Sequence, residues 1–281
     1  MPESIDLIER AAARLRNQTA TPVYAGPSAT PADVGTKTDN ALVLDPLHLA
    51  QHGIALPFEK RSRTVEEFRL IKRNLMNLGS QDGPAATQPP RLILVTSSRA
   101  AEGKTFVSIN LAFAFASETD GEAVLLDTDT EHPMVPSIFG VPAEKGVVDV
   151  LAGRLELTDV LLQTSMTSLK ILPSGPGGPH VPELFAGKRM ATLLANVSQH
   201  YHDRYIIIDT PPCLVSSEAA SLAPLVDRVV LIVEAHRTQE RDIQSCLTLL
   251  SGCPNVCLLL NKSDSVSSDY FGPYGSYFSN G

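Results

Sequence analysis

The chain has 281 residues, of which 43% are hydrophobic, and 23 basic against 31 acidic residues give a formal net charge of -8. This length provides a large buried core, which excludes a small disulfide-held scaffold, and the negative charge argues against nucleic-acid binding. No apolar run approaches the ~20 residues that span a bilayer, no secretory signal follows Met1 and the four cysteines lack zinc-ligand spacing, so we expect a cytoplasmic protein with reduced thiols.

The N-terminal part of the chain predicts two helices joined by a linker. Residues 1–16 place apolar side chains at helical spacing after Ser4, which predicts a short amphipathic helix. Residues 17–63 are rich in Thr, Pro, Ala, Gly and Asp without periodicity, which predicts a disordered linker. A second helix is predicted to begin at a Thr64 cap and to end at Gly79. Its apolar stripe consists of Phe68, Ile71, Leu75 and Leu78.

Beyond residue 90 the pattern changes to short β-branched strands that alternate with helices. The predicted strands are 91–96, 123–127, 169–172, 205–209, 229–234 and 256–260. Almost unbroken apolar strands separated by helices are typical of a parallel sheet buried on both faces. We therefore predict a three-layer α/β domain with a mostly parallel central sheet over residues 64–262. The tail, residues 263–281, shows no period from which a packed element could be argued.

The loop after the first predicted strand carries a phosphate-binding pattern. Residues 97–105 end in Gly-Lys-Thr and a helix follows at once, which is the context of a P-loop. In such a loop backbone amides and the helix N-terminus cradle phosphates, while Lys104 reaches the β- and γ-oxygens and Thr105 binds Mg²⁺. The predicted nucleotide contacts are Ala100, Ala101, Glu102, Gly103, Lys104, Thr105 and Phe106.

Two positions depart from the strict P-loop pattern. Ser98 replaces the first Gly, and Ala101 stands where related loops usually have another Gly. If Ala101 needs a positive φ, it costs about 1 kcal/mol. Taken alone, the segment also fits an ordinary strand-to-helix loop, so the nucleotide prediction depends on the other strand ends.

Carboxylates follow two further predicted strands. Asp127 ends the strand at 123–127 and Asp129 follows two residues later, while Asp209 ends the strand at 205–209. Ligands of open α/β sheets bind at the carboxyl ends of the strands, and carboxylates there hold Mg²⁺ directly or through water. Together with the Gly-Lys-Thr loop, these residues predict a site for a nucleotide and Mg²⁺.

The last predicted strand ends in Asn261, Lys262, Ser263 and Asp264. Asn261 is placed to hydrogen-bond a purine base, and the Asn-Lys-x-Asp spacing also matches the guanine-reading motif of GTPases, so the base stays open. The alternative is an Asn that merely turns the chain out of the strand.

From about Thr64 to Gly281 the chain resembles the bacterial tyrosine kinases that control exopolysaccharide and capsule synthesis, and among them the stand-alone autokinases of exosortase-linked loci. Residues 97–105, 125–129 and 206–209 match that family's Walker A, A′ and B segments. The resemblance implies a P-loop NTPase fold and ATP-dependent transfer of phosphate to the chain's own tyrosines.

The resemblance also implies roles for single residues. Lys104 and Thr105 would hold phosphates and Mg²⁺, Asp129 and Asp209 would surround the metal, and Asp127 would accept the proton of the tyrosine hydroxyl. The implied phosphoacceptors are Tyr270, Tyr274 and Tyr277.

An oligomerisation motif of the family, Glu-x2-Arg-x2-Arg, resembles Glu66, Arg69 and Lys72 on the helix before the domain. Residues one turn apart form a single charged stripe that can pair with a neighbouring subunit, and the family forms homo-oligomeric rings. A solvated helix face is the structural alternative.

Further implied partners are a membrane adaptor of the chain-length or co-polymerase type as activator and a tyrosine phosphatase. The kinase would then lie at the inner membrane through the adaptor. A partitioning or division-site ATPase, which switches without kinase activity, is the main alternative, because Arg99 lies where those proteins place a second-subunit lysine. A GTPase and a non-catalytic nucleotide-binding adaptor are further alternatives.

Overall fold

A computed structural model describes residues 41–57, 62–78, 91–118, 121–200 and 204–263. The predicted helix 1–16, residues 17–40 of the predicted linker and the tail tyrosines lie outside these ranges. Within them, no helix has the length and apolar character that a membrane crossing requires.

A seven-stranded sheet forms the centre of the described part of the chain. The strands are β1 Leu92–Ser97, β2 Glu122–Asp127, β3 Leu162–Gln163, β4 Leu169–Leu172, β5 Arg204–Asp209, β6 Arg228–Glu234 and β7 Val256–Asn261. Their order is β3-β4-β2-β5-β1-β6-β7, and all neighbours are parallel except the β3–β4 pair. The mostly parallel sheet is therefore confirmed. The sequence prediction missed β3, because two residues are too few to show a period.

Helices cover both faces of this sheet. They are α1 Pro46–Gln51, α2 Arg63–Asn77, α3 Lys104–Ala116, α4 Met134–Phe139, α5 Val147–Ala152, α6 Leu157–Val160, α7 Val181–Ala186, α8 Lys188–His200, α9 Glu218–Leu222 and α10 Glu240–Leu249. Helices α1 to α4 contribute to one apolar core and α5 to α10 to the other. In β1, Ile93 and Val95 face the first core and Leu94 faces the second. Alternate strand residues thus fill two cores, which explains the unbroken apolar strands.

The predicted linker 17–63 is wrong for residues 41–57, which are folded. Leu42 forms a parallel bridge with Thr164, and Asp45 caps α1 by accepting hydrogen bonds from two backbone amides. The apolar residues of this segment, Leu44, Leu49, Ile54 and Leu56, are buried in the first core. Their irregular spacing has neither a helical nor a strand period. Their role in the core is therefore evident only from the structure, in which they pack against the domain.

Leu49→Ala is expected to lower the free energy of unfolding by about 2–5 kcal/mol, because it leaves a cavity in the core. The Leu49 side chain is 1% exposed, whereas Leu47 on the same helix is 79% exposed. Leu47→Ala is therefore the matched control and is expected to change stability by less than about 0.5 kcal/mol. Urea denaturation of both variants tests this, and equal losses would contradict the docking of 41–57.

Helix α2 begins one residue before the predicted cap. Ser62, not Thr64, accepts a hydrogen bond from the backbone amide of Val65. Phe68 and Leu75 of the predicted stripe are buried, while Leu78 is exposed because the helix ends at Asn77.

Candidate active site

The P-loop connects β1 to α3 and contains two left-handed residues. Gly103 precedes α3 with φ +99°, and Ala101 has φ +66°. The positive φ anticipated for Ala101 is thus present, and this alanine carries strain that a glycine would not. The loop keeps this conformation because other residues hold it, as described below.

Ala101→Gly is expected to raise the free energy of unfolding by up to about 1 kcal/mol, since relief of the left-handed conformation exceeds the entropic cost of glycine. Ala100, the exposed neighbour, does not have a positive φ. Ala100→Gly should therefore lower the free energy of unfolding by about 0.5–1 kcal/mol, because only the entropic cost of glycine applies there. Thermal unfolding of the two variants tests the difference in sign.

Glu102 directs its carboxylate away from solvent and holds the P-loop together. It is 1% exposed and accepts hydrogen bonds from the Ser98 hydroxyl, the Arg99 amide and the Thr238 hydroxyl at 2.6–3.0 Å. Ser98, in the position of the first P-loop Gly, is one of these donors. No pattern in the sequence indicates this role, because Glu102 and Thr238 are separated by 136 residues.

The start of α3 lies against the end of β5. The Thr105 hydroxyl donates to Asp209 Oδ2 at 2.7 Å, and the Ser108 hydroxyl donates to Asp209 Oδ1 at 2.9 Å. Burial raises the pKa of Asp209 to about 6, although these hydroxyls and the charge of Lys104 oppose the rise. The structure thus brings together Lys104, Thr105 and Asp209 as the sequence predicted.

Asp127 and Asp209 are opposite each other in the β2–β5 register, and both are buried. Burial, with the Asp209 carboxylate adding to it, raises the pKa of Asp127 well above its usual range. Asp127 Oδ1 accepts the backbone amide of Asp129 at 2.9 Å, whereas Oδ2 has no hydrogen-bond partner. Asp129 Oδ1 accepts the amide of His132 at 3.0 Å.

A fourth carboxylate, which the sequence prediction missed, belongs to Glu218 at the start of α9. It is buried, and one of its oxygens has no hydrogen-bond partner. Burial raises the pKa of Glu218, and the charges of Asp129 and Glu131 add to this effect. Several carboxylates thus share one end of the sheet, where a bound cation would relieve their repulsion.

These residues fit Mg²⁺ together with a phosphate. The fit depends on the buried, unpartnered Asp127 Oδ2 and on the contact between Thr105 and Asp209. In the described ranges, no three His, Cys, Asp or Glu side chains form a metal site by themselves. Magnesium commonly retains waters and phosphate oxygens and takes only one or two protein carboxylates, so such a partial site is sufficient.

The remaining predicted contacts lie in different places. The Phe106 ring packs edge-on against Phe68 of α2, with ring centroids 5.7 Å apart, and so faces the core. Asn261 donates its side-chain amide to the Glu102 carbonyl at 2.9 Å. Arg99 forms a two-pronged ion pair with Asp242 of its own chain, at 2.9 and 3.2 Å.

Of the predicted interface residues, Lys72 contacts the end of α3 opposite Lys104. Lys72 Nζ donates to the Ala114 carbonyl at 3.1 Å and to Glu118 at 2.7 Å. Ala114 is ten residues after Lys104, which corresponds to roughly 15 Å along the helix. Arg69 pairs with Glu66 on the exposed face of α2 at 2.6 Å.

Comparisons with known proteins agree with this architecture. Residues 90–251 match the family described as AAA domain. The putative tyrosine-protein kinase CapB of Staphylococcus aureus is 28% identical over 76% of this chain and 92% of its own length. The tyrosine-protein kinase CpsD of Streptococcus pneumoniae serotype 4 is 32% identical over 64% of this chain and 79% of its own length. The crystal structure of the chimerical protein CapA2B2 matches with a TM-score of 0.62 and 24% identity, over 78% of this chain and 93% of that chain.

Proposed function

The chain belongs to the AAA domain family and, within it, to the bacterial tyrosine-protein kinases, and on that premise we propose that it is an ATP-dependent tyrosine autokinase acting in capsule or exopolysaccharide synthesis. The observation that carries the proposal is the convergence of the P-loop with the Asp127–Asp209 pair at one end of the sheet. This arrangement provides both a phosphate cradle and a carboxylate without a partner.

Phosphoryl transfer requires positioning and positive charge around the γ-phosphate more than covalent chemistry from the protein. Lys104 and the loop amides provide positive charge, and Thr105 and Asp209 would hold Mg²⁺ with Asp129 near it. When bound, Mg²⁺ neutralises phosphate charge. Ala100, Ala101, Glu102, Gly103 and Phe106 would contribute backbone groups to the cradle.

A tyrosine hydroxyl has a pKa of about 10, so its attack at neutral pH benefits from a proton acceptor. Asp127 Oδ2 is such an acceptor, because it is buried at the site and unpartnered. Its raised pKa increases its affinity for the proton. Asp127 is thus the general base of the proposal, and its neighbour Asp129 belongs to the metal surroundings.

Tyr270, Tyr274 and Tyr277 are the proposed phosphoacceptors. They follow β7 within 16 residues of Asn261, whose side chain contacts the P-loop. A group attached by a short tether reaches an effective concentration in the millimolar range at the site. Transfer to the tail of the same or a neighbouring chain is therefore accessible.

Intact-mass analysis of the purified chain with Mg-ATP tests the proposal. The wild type is expected to gain up to three phosphates, and the triple variant Tyr270/Tyr274/Tyr277→Phe is expected to gain none. Tyr24→Phe, outside the tail, is the matched control and should be labelled like the wild type. ATP hydrolysis without any mass gain, also in the presence of an adaptor, would favour the switch ATPase instead.

For assembly, the proposal places Glu66 and Arg69 at a contact between subunits of a ring. They border a groove of about 590 Å³ between α2 and α3. Lys72 lines the groove but is engaged within its own chain, so its role is to fix α2 on α3. Light scattering should show smaller assemblies for Arg69→Glu than for Arg63→Glu, an equally exposed control on the same helix. Equal sizes would remove Arg69 from the interface.

The finer biological context is also part of the proposal. A CapA-type membrane adaptor is the proposed activator, which would place the kinase peripherally at the inner membrane, and a tyrosine phosphatase would reset it. An exosortase-linked polysaccharide locus is the proposed setting. Co-purification with an adaptor encoded in the same locus, and its loss without that gene, tests the partnership.

A further inference from the structure

The end of β7 holds the backbone of the P-loop at two successive carbonyl groups. Asn261 Nδ2 donates to the Glu102 carbonyl at 2.9 Å, and Lys262 Nζ donates to the Ala101 carbonyl at 2.7 Å. The donors lie 159 and 161 residues after their acceptors in the chain. These contacts connect the root of the tail to the nucleotide cradle.

Peptide geometry converts these contacts into a direction for the loop amides. In a trans peptide the C=O and the following N–H point to opposite sides. A carbonyl of Ala101 held by Lys262 therefore turns the amide of Glu102 away from β7, and a carbonyl of Glu102 held by Asn261 does the same for the amide of Gly103. Successive amides pointing to one side form an anion-binding concavity.

The local strain supports the same conclusion. Ala101 adopts a left-handed φ that alanine disfavours, and Lys262 contacts the carbonyl of this residue. A Cβ on Gly103 would overlap the side-chain nitrogen of Asn261, so the close approach of Asn261 requires a glycine at this position. Loop and strand end are therefore matched to each other.

Lys262 is itself held in place. Its ammonium also contacts Glu234 Oε1 at 3.2 Å, while Arg237 pairs with Glu234 Oε2 at 3.1 Å. Arg237 thus shares the carboxylate with Lys262 and, among the described residues, forms no hydrogen bond with the P-loop, which makes it a suitable control position.

We propose that Asn261 and Lys262 are positioning residues that preform the phosphate cradle, and that Asn261 acts through the P-loop backbone rather than by reading the base. The proposal deepens the nucleotide binding that the proposed function assumes. It predicts that both residues contribute to the affinity for the phosphates and not to the preference between bases.

Competition binding with Mg-pyrophosphate, which has no base, separates the two roles. In the full chain, Lys262→Met and Asn261→Ala should each weaken binding of Mg-pyrophosphate and Mg-ADP by the same factor, up to about tenfold, since each variant loses one hydrogen bond to the P-loop backbone, which is charge-assisted for Lys262 and neutral for Asn261. Lys262→Arg should recover most of the affinity, and Arg237→Ala should bind as the wild type does. The ratio of ADP to GDP affinity should stay constant.

Two outcomes would overturn the proposal. Weaker binding of Mg-ADP with unchanged binding of Mg-pyrophosphate, or a changed ADP to GDP ratio, would assign Asn261 to the base. Unchanged binding of both ligands would remove the positioning role. Lys262 is 46% exposed, so Lys262→Met keeps the test valid if Asn261→Ala fails to fold. Because no phosphate is transferred in this assay, its failure is distinct from a failure of the kinase proposal.

A double-mutant cycle measures the coupling between Lys262 and Ala101 in Mg-pyrophosphate binding. A general loss of stability would not change this coupling. In the Ala101→Gly background the loop is relieved of strain, so Lys262→Met should weaken Mg-pyrophosphate binding by a smaller factor than in the wild type. An equal factor in both backgrounds would contradict the coupling between Lys262 and the strained residue.

Discussion

Lys104→Met is expected to reduce phosphate incorporation into the chain by at least about 100-fold, because it removes a preorganised charge at the γ-phosphate. Lys104 is 8% exposed at the start of α3, and its charge acts on Asp209. Methionine preserves most of the side-chain volume, so the fold should be retained. Incorporation of radioactive phosphate from labelled ATP measures the effect.

Lys145→Met is the matched control, since this exposed lysine lies outside the site. It is expected to incorporate phosphate at the wild-type rate. If Lys104→Met retained more than a tenth of the wild-type rate while binding nucleotide normally, the P-loop lysine would not be the group that stabilises the transferred phosphate.

Asp127→Asn is expected to abolish transfer and at the same time to stabilise the Mg²⁺-free protein. In the wild type the Asp127 carboxyl is buried beside Asp209, whereas asparagine carries no charge and offers a donor toward the buried Ser174 hydroxyl. The free energy of unfolding at pH 7 should therefore be higher for Asp127→Asn than for the wild type. Active sites commonly trade stability for function in this way.

The free energy of unfolding of the wild type is expected to fall as the pH rises. Folded Asp127 and Asp209 hold protons that the unfolded chain releases above about pH 4. The free energy of unfolding contributed by these groups is therefore complete below about pH 4 and is lost as the pH rises through about 6 and above. Urea denaturation from pH 4 to 8 should show a smaller decline for Asp127→Asn than for the wild type. Glu144→Gln, an exposed control, should follow the wild type, and identical profiles for all three would contradict the assignment.

Local patterns in the sequence were sufficient for every described strand except β3, and for helices α2 and α3. The strands at 205–209 and 229–234 are buried on both faces and therefore consist of almost unbroken apolar residues. Each can be recognised as a strand from its own sequence, without knowledge of its partners. Segment 41–57 was missed for the opposite reason. Its apolar side chains are buried only by packing against α3 and neighbouring elements, which lie far away in the sequence; they are Leu44, Leu49, Ile54 and Leu56. Its composition therefore matched that of a linker.

The candidate site was predictable where one strand end carries the chemistry. Asp127 and Asp209 end β2 and β5, and strand register pairs them, while Lys104 and Thr105 begin the helix after the short loop that follows β1. Glu102, Thr238 and Lys262 act through contacts between elements distant in the chain. Such partners are determined by packing around the loop and have no signature in a single sequence.

The bridge between segment 41–57 and the edge of the sheet joins parts of the chain that are synthesised at different times. Leu42 donates its amide to the Gln163 carbonyl, and the Leu44 amide donates to the Ser165 hydroxyl, 121 residues further along. A ribosome adding roughly 5–20 residues per second needs roughly 6–24 s for that distance. The segment therefore emerges long before the edge strand that accepts its hydrogen bonds. The hydrogen bonds between the segment and the sheet edge can therefore form only after residues 163–165 have been synthesised.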